Sequence, residues 1–508
     1  MMSIFMETKK LQEQKSQLTS DQITELIKQN EELKDFQLKP DSPEALASIP
    51  KLSLNCVERS AEIFPFEIEA DTSLHLSFSE LPTNGIGYLI IALDASGIPR
   101  DLFPYLTIFS QLTLQLGTHK RNFVDLIQEI DIHTGGVGCA YQAAAIKGEP
   151  NEVNSHVTFS CKALRDKIGN LFSILNEIFT KCNFDDQKRI NEVLRISKSI
   201  LQSRIIPSGH SFAASRLASY SSKVGRYREC ASGIRQYHFL EKIVKEFEEE
   251  PETFIRKIKE ISRLLFNKTT MKIHLTGSAK ELKTAKKEMS KFLDTIPEIP
   301  ISREHYDFDS DSMNEGFIIP SKIQYVGKGI NLFEFGYEYK GHYEVLETIL
   351  SRDYLWNTVR VRGGAYGCFS NLDILSGNFC CISYRDPNLE ETIDVFDKIS
   401  DYIKQLPLSE SDLEKFIIST IGTIDAPKTQ DQKGGAAFGR FLSKVSEEDT
   451  QKRRDQILST RMQDLEKYGA LFDDFCSNGK ICVVGSEEKI KQNIRLFSTI
   501  HNVFNTEV

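Results

Sequence analysis

The run NTVRVRGGAYGCFS at 357–370 puts two arginines, a glycine pair and a tyrosine into a stretch that otherwise reads as apolar strand or loop. An arginine guanidinium stays charged and presents a rigid fork of donors, and a tyrosine hydroxyl adds one more. Held together, Arg360 and Tyr366 could grip a peptide carbonyl and stabilise the oxyanion that develops when water attacks it. The glycines between them, Gly363 and Gly364, would let a substrate backbone come close. A rival reading needs no chemistry: Arg360 makes a surface ion pair and Tyr366 is a core residue.

The rest of the chain does not supply the other half of such a reaction. Its ten histidines never fall three or four residues apart, so neither H-E-x-x-H nor H-x-x-E-H occurs and no zinc site is expected. ISREH at 301–305 lacks the first histidine of the inverted motif. DFDSD at 307–311 is no calcium loop, because Ser312 and Ile318 stand where glycine and glutamate belong. PSGHS around His210 lacks the glycine spacing of a nucleophile elbow. The ten cysteines form no C-x-x-C pair, and several sit in apolar runs such as NFCCISY and KICVVG, where a thiol acts as a small hydrophobe.

The elements that must position the motif emerge from a comparison of the chain with itself. Three prolines in LKPDSPEALASIPKL predict an extended connector after a helical opening with Ser20 as N-cap and Ile23, Leu26, Ile27, Leu33 and Phe36 at helical spacing. A second break at 296–317 divides the remainder. DLIQEIDIHTGGVG and DYLWNTVRVRGGAYG then align across that break: Asp125 to Asp353, and Gly135 to Gly363, are both 228 residues apart. Each glycine pair is followed by an apolar strand and an amphipathic helix, the first carrying Leu164, Ile168, Leu171, Phe172, Leu175, Ile178 and Phe179, the second Ile393, Phe396, Ile399, Tyr402, Ile403 and Leu406, with Asp386-Pro387 as its expected start. Another helix should begin at Ser409. The prediction is an α+β fold of two related domains, each a sheet covered on one side by helices: a helical hairpin or linker over 1–50, the first repeat over 51–295, a linker over 296–315 and the second repeat over 316–508. At the shared offset Arg360 answers to Ile132 and Tyr366 to Gly138, so the fold itself does not demand the pair.

Composition sets the outer bounds. Hydrophobic residues at 40% and charged residues at 27% are those of a globular protein, and no apolar run reaches the roughly 18 residues of a membrane span. A net charge of −9 argues against nucleic acid as a partner. The opening has neither an apolar signal core nor an Arg-rich transit character, which predicts a cytoplasmic protein.

With VRVRGGAYG, SYRDPN and IISTIGTIDAPKTQDQKGGAAFGRFL, the second block resembles the C-terminal half of presequence protease, a branch of the pitrilysin (insulinase) family of zinc metallopeptidases. GIGYLIIALDASGIPRDLFPYLTIFSQLTLQLGT and IHTGGVG in the first block resemble the third of that family's four homologous domains, and the opening helical segment resembles the hairpin joining its halves. The resemblance implies a clamshell in which an N-terminal half holds zinc and a glutamate base, and this half closes over a peptide-sized chamber. It places the substrate-binding arginine and tyrosine on Arg360 and Tyr366, with Gly363, Gly364 and Ala365 beside the substrate. Zinc would belong to the missing half or to a partner subunit, and short unstructured peptides would be the substrates. An alternative within the same resemblance is an inactive peptide-binding or assembly subunit.

Overall fold

The computed structural model describes residues 14–38, 42–50, 52–69, 75–304 and 313–504, and the chain divides after Cys56 into two compact units. In the first, the helix Ser20–Leu38 leaves Leu26, Ile27, Leu33 and Phe36 exposed. Its cap is Thr19 rather than Ser20: the Thr19 hydroxyl accepts from Gln22 N at 3.3 Å while Gln22 Oε1 accepts from Thr19 N at 2.9 Å. This reciprocal pair satisfies amides that the helix itself cannot. The expected extended connector contains a short helix, Pro43–Ala47, whose proline takes a position where no N–H is needed and whose Ala45 N donates to Ser42 Oγ. The N-terminal signal reading at 1–13, the histidine of ISREH and the DFDSD segment lie outside the described residues.

The second unit contains two six-stranded sheets built on one plan. The first comprises β1 (Glu67–Ile68), β2 (His75–Glu80), β3 (Ile86–Asp94), β4 (Val137–Ile146), β5 (Glu149–Leu164) and β6 (Met271–Gly277), in the order β1-β2-β6-β3-β5-β4. The second comprises β7 (Glu315–Ile318), β8 (Tyr325–Asn331), β9 (Gly367–Leu372), β10 (Asn378–Tyr384), β11 (Lys480–Gly485) and β12 (Thr499–Asn502), in the order β12-β7-β11-β8-β10-β9. In both, an early strand runs parallel to the late one (β2 with β6, β7 with β11) and the other inner pairings are antiparallel. The copies part only at one edge, where β1 is antiparallel to β2 and β12 parallel to β7. The fold is α+β, and the repeat read from spacing is a repeat of topology.

Helices cover these sheets largely as the periodicity requires. Ile168–Lys181 buries Ile168, Leu171, Phe172, Leu175, Ile178 and Phe179, but Leu164 ends β5 and is exposed. The single helix expected over 393–406 is two, Glu390–Phe396 and Ile399–Gln405. Asp386-Pro387 does not start it. Asp386 instead exchanges backbone hydrogen bonds of 2.8 and 2.9 Å with Gln324, and this bridge keeps it extended. Ser409 caps Glu410–Ile424 as expected, in a capping box with Asp412.

One long-range joint ties the copies together. The helix Gly209–Ser221, from the first block, lies on β8, β10 and β11 of the second sheet. Gly209 is needed there, since a Cβ would stand 2.2 Å from the Tyr325 ring. From the same helix Arg216 donates to both oxygens of buried Glu315 at 2.6 and 3.0 Å, and Tyr220 adds a third bond at 2.7 Å. Those donors hold the Glu315 carboxyl below its ordinary pKa despite its burial, which by itself pushes the other way.

Candidate functional site

The motif sits at the end of a helix that changes its winding. His342–Ile349 is α-helical, but Leu350–Tyr354 and Trp356–Arg362 are wound wide, with hydrogen bonds reaching five residues back. Runs of this kind are rare and collect at functional sites. The stretch is therefore helical as far as Arg362, where its apolar residues suggest strand or loop, and becomes strand only from Gly367. The glycine pair ends it. A Cβ at Gly363 would lie 2.6 Å from the Val359 carbonyl, and Gly364 has φ +80°, the left-handed region that glycine enters without strain. The chain then enters β9, an edge strand that the sequence pattern does not single out.

Arg360 lies over Trp356, with its guanidinium carbon 3.8 Å from the ring centroid and 6.0 Å from that of Tyr366. Stacking on an aromatic face is worth about 0.5–1 kcal/mol where solvent reaches it. Tyr366 is 67% exposed, meeting Tyr384 edge to face at 5.6 Å. Neither half of the rival reading is seen: among the described residues Arg360 pairs with no carboxylate, and Tyr366 is not core.

Arg360, Val361, Gly364, Ala365, Tyr366 and Arg385 line one open depression of about 490 Å³. The structure thus brings together four of the five expected residues. Gly363 faces an adjoining groove with Arg362, and its carbonyl accepts from Asn388 Nδ2 at 2.6 Å. Sequence reasoning assigned no role to Trp356 or Arg385, although both lie inside or beside the stretches it quoted. His210, from PSGHS, meets Tyr384 edge-on at 4.8 Å, and burial pushes its pKa down. Among the described residues no group of three or more His, Cys, Asp or Glu is placed to hold a metal ion. Most of the thiols are buried, and burial pushes Cys380, for example, up to about 12.

Two known domain families match most of the chain. The family of domains associated with the C branch of the M16 peptidases matches residues 5–243, and that described as "PreP C-terminal domain" matches 314–487. Protein HypA of Clostridium perfringens is 34% identical over 97% of this chain and 51% of its own length. The chain belongs to the presequence-protease-like M16 peptidases, as a C-terminal half.

Presequence protease 1, chloroplastic/mitochondrial, of Arabidopsis thaliana is 32% identical over 94% of this M16 half and 44% of its own length. The chain thus spans about half the length of the curated relatives it matches. Among solved structures, a peptidase M16 inactive domain from Pseudomonas fluorescens superposes with a TM-score of 0.60 at 14% identity, covering 83% of this chain and 98% of that one. A protease from Helicobacter pylori gives 0.58 at 12%, covering 83% and 100%. At such identities these two speak for the fold alone.

Proposed function

We propose that this M16 half is the substrate-binding side of a zinc metalloendopeptidase that degrades short unstructured peptides in the cytoplasm. In this reading Arg360 and Tyr366 donate hydrogen bonds to the scissile carbonyl, and their hold tightens as the oxygen gains charge. Gly364 and Ala365 admit the peptide backbone, with Gly363 behind them. Zinc belongs to an N-terminal half or partner subunit, where it would activate the attacking water. The repeats at 51–295 and 316–508, with their linker at 296–315 and the helical segment at 1–50, act together as the half that closes over the peptide. The observation carrying the proposal is the pairing of an aromatic-stacked guanidinium with an exposed phenol in one depression whose lining contains no acid. Among the described residues no helix is long and apolar enough to cross a membrane.

The test is reconstitution. Alone, the chain should bind no stoichiometric zinc and cleave no fluorogenic peptide. Mixed with a zinc-bearing M16 half, it should co-elute across an interface of at least about 1,200 Å² and support cleavage. Metal-dependent turnover by the chain alone would overturn the proposal. Co-elution without cleavage would favour the second reading, an inactive peptide-binding or assembly subunit.

A further inference from the structure

The depression that holds Arg360 and Tyr366 contains a second guanidinium. Arg385 follows directly on β10, and its backbone has φ +51°. Among the described residues three other non-glycines share the left-handed region, and each has a local reason. Asn84 and Asn314 are asparagines, which tolerate it. Lys444 closes the helix Gln430–Leu442, with its N–H bonded to Phe441 O and that of Val445 to Arg440 O.

Arg385 is neither an asparagine nor a helix terminus. Its conformation is imposed by its neighbours. Tyr366 N donates to its carbonyl at 3.3 Å, Asp386 is clamped to Gln324 in both directions, and the Asp386 carboxylate accepts from Asn388 N at 2.9 Å and Thr392 Oγ1 at 2.7 Å. A left-handed backbone strains a residue that carries a Cβ, a strain that glycine would avoid. What arginine adds at this place is its side chain. That side chain is exposed, with its guanidinium carbon 5.5 Å from the Tyr384 ring centroid.

The electrostatics select the ligand. The six lining residues include two cations and no acid, and the adjacent Asp386 carboxylate is buried and turned toward Asn388 and Thr392. On a chain of net charge −9 this is a local inversion of sign. One fork is committed to a carbonyl in the proposed function. A second fork matches the geometry of a carboxylate, which accepts two parallel N–H bonds.

We propose that Arg385 binds a carboxylate of the peptide whose carbonyl Arg360 and Tyr366 hold, and so selects among substrates. The carboxylate is either the peptide's C-terminus or an aspartate or glutamate side chain. This rests on the proposed function, and the experiment separates the two. Trp356 is the chain's one tryptophan, 43% exposed and stacked on Arg360, so its fluorescence reports a peptide arriving in the depression.

The full chain is titrated with a tryptophan-free, unstructured peptide carrying one aspartate and a free C-terminus, with its asparagine counterpart, and with the C-terminal amide of each. Salt is kept at about 0.15 M to screen long-range attraction. In the wild type, removing one of the two carboxylates should weaken binding about tenfold, or about 1.4 kcal/mol, and the arm that does so names the source. Arg385→Asn, which suits the backbone, should keep the melting temperature and bind every peptide as weakly as the wild type binds the neutral one. Arg385→Lys should recover part of the preference. If the wild type binds but shows no preference, or Arg385→Asn retains it, this inference fails while peptide binding stands. If no peptide perturbs Trp356 in the wild type, the proposed function fails with it.

Discussion

In the first repeat the helix Phe123–His133 is regular, stops at Thr134 and passes through Gly135-Gly136 into β4. In the second, the corresponding helix is wound wide through Trp356–Arg362 and passes through Gly363-Gly364 into β9. Both second glycines have left-handed backbones, with φ +119° at Gly136 and +80° at Gly364. The turn is therefore a demand of the fold, met alike in both copies. The wide winding and the Arg–Tyr pair are not, because the first copy makes the same sheet order with Ile132 and Gly138 in their places. More residues per turn than the 3.6 of an α-helix change the direction in which a residue at a given offset leaves the helix. In the second copy Arg360 lies on Trp356, whereas Ile132 in the first is 67% exposed to solvent.

The largest effect is expected at the joint between the copies. Glu315→Ala removes the carboxylate that the buried Arg216 grips with two bonds and should cost about 3–5 kcal/mol in urea denaturation. The same joint predicts acid sensitivity. The Glu315 carboxyl is lowered in the folded chain, so its contribution is complete above the ordinary value of 4.5 and is lost as pH falls from there through the folded value. Thermal melts of Glu315→Gln should lack that component, and an unchanged acid limb would remove Glu315 from the account.

Next comes the motif itself. In the reconstituted enzyme Tyr366→Phe should lower kcat about a hundredfold with little change in KM, and Arg360→Lys should impair turnover through loss of the fork. Arg362→Lys should matter much less. Wild-type kinetics from the first two variants would return the pair to an ordinary surface.

Smaller again is the effect at the turns. Gly136→Ala and Gly364→Ala should each cost about 1–2 kcal/mol, since both force an L-residue into left-handed backbone. Only the second should also reduce peptide turnover. Equal loss of turnover from both would show that the comparison misplaces the site.

The smallest effect is expected at Ile132→Val. A packed isoleucine would lose about 0.5–1.5 kcal/mol, but this one is exposed, and the change should stay within about 0.5 kcal/mol by chemical denaturation.

Some of this was legible before any coordinates. The offset of 228 residues exposed the repeat, and a repeated pattern of glycine pair, strand and helix is enough to imply two related α+β sheets, because each apolar face needs a cover. The same alignment singled out Arg360 and Tyr366, since residues that differ between copies of one fold are not explained by the fold. Periodicity also named the buried face of Ile168–Lys181, a local property of the chain.

Other features depended on groups far apart in sequence. Asp386 has the composition of a helix start, yet pairing with Gln324 outcompetes that local preference. Leu164 has helical spacing from Ile168 but is claimed by the ladder of β5 with β3. Helix Gly209–Ser221 belongs by sequence to the first repeat and by packing to the second sheet. Spacing within the chain determined the repeat and the glycine turns and marked Arg360 and Tyr366 as the residues that differ between the copies, because these are read from patterns local to each copy. Only the tertiary structure decided that Trp356 carries Arg360, that Arg385 joins them from the end of β10, and that the phenol stands open to solvent, because side-chain direction depends on the winding of the helix and on strand pairings that no local pattern records.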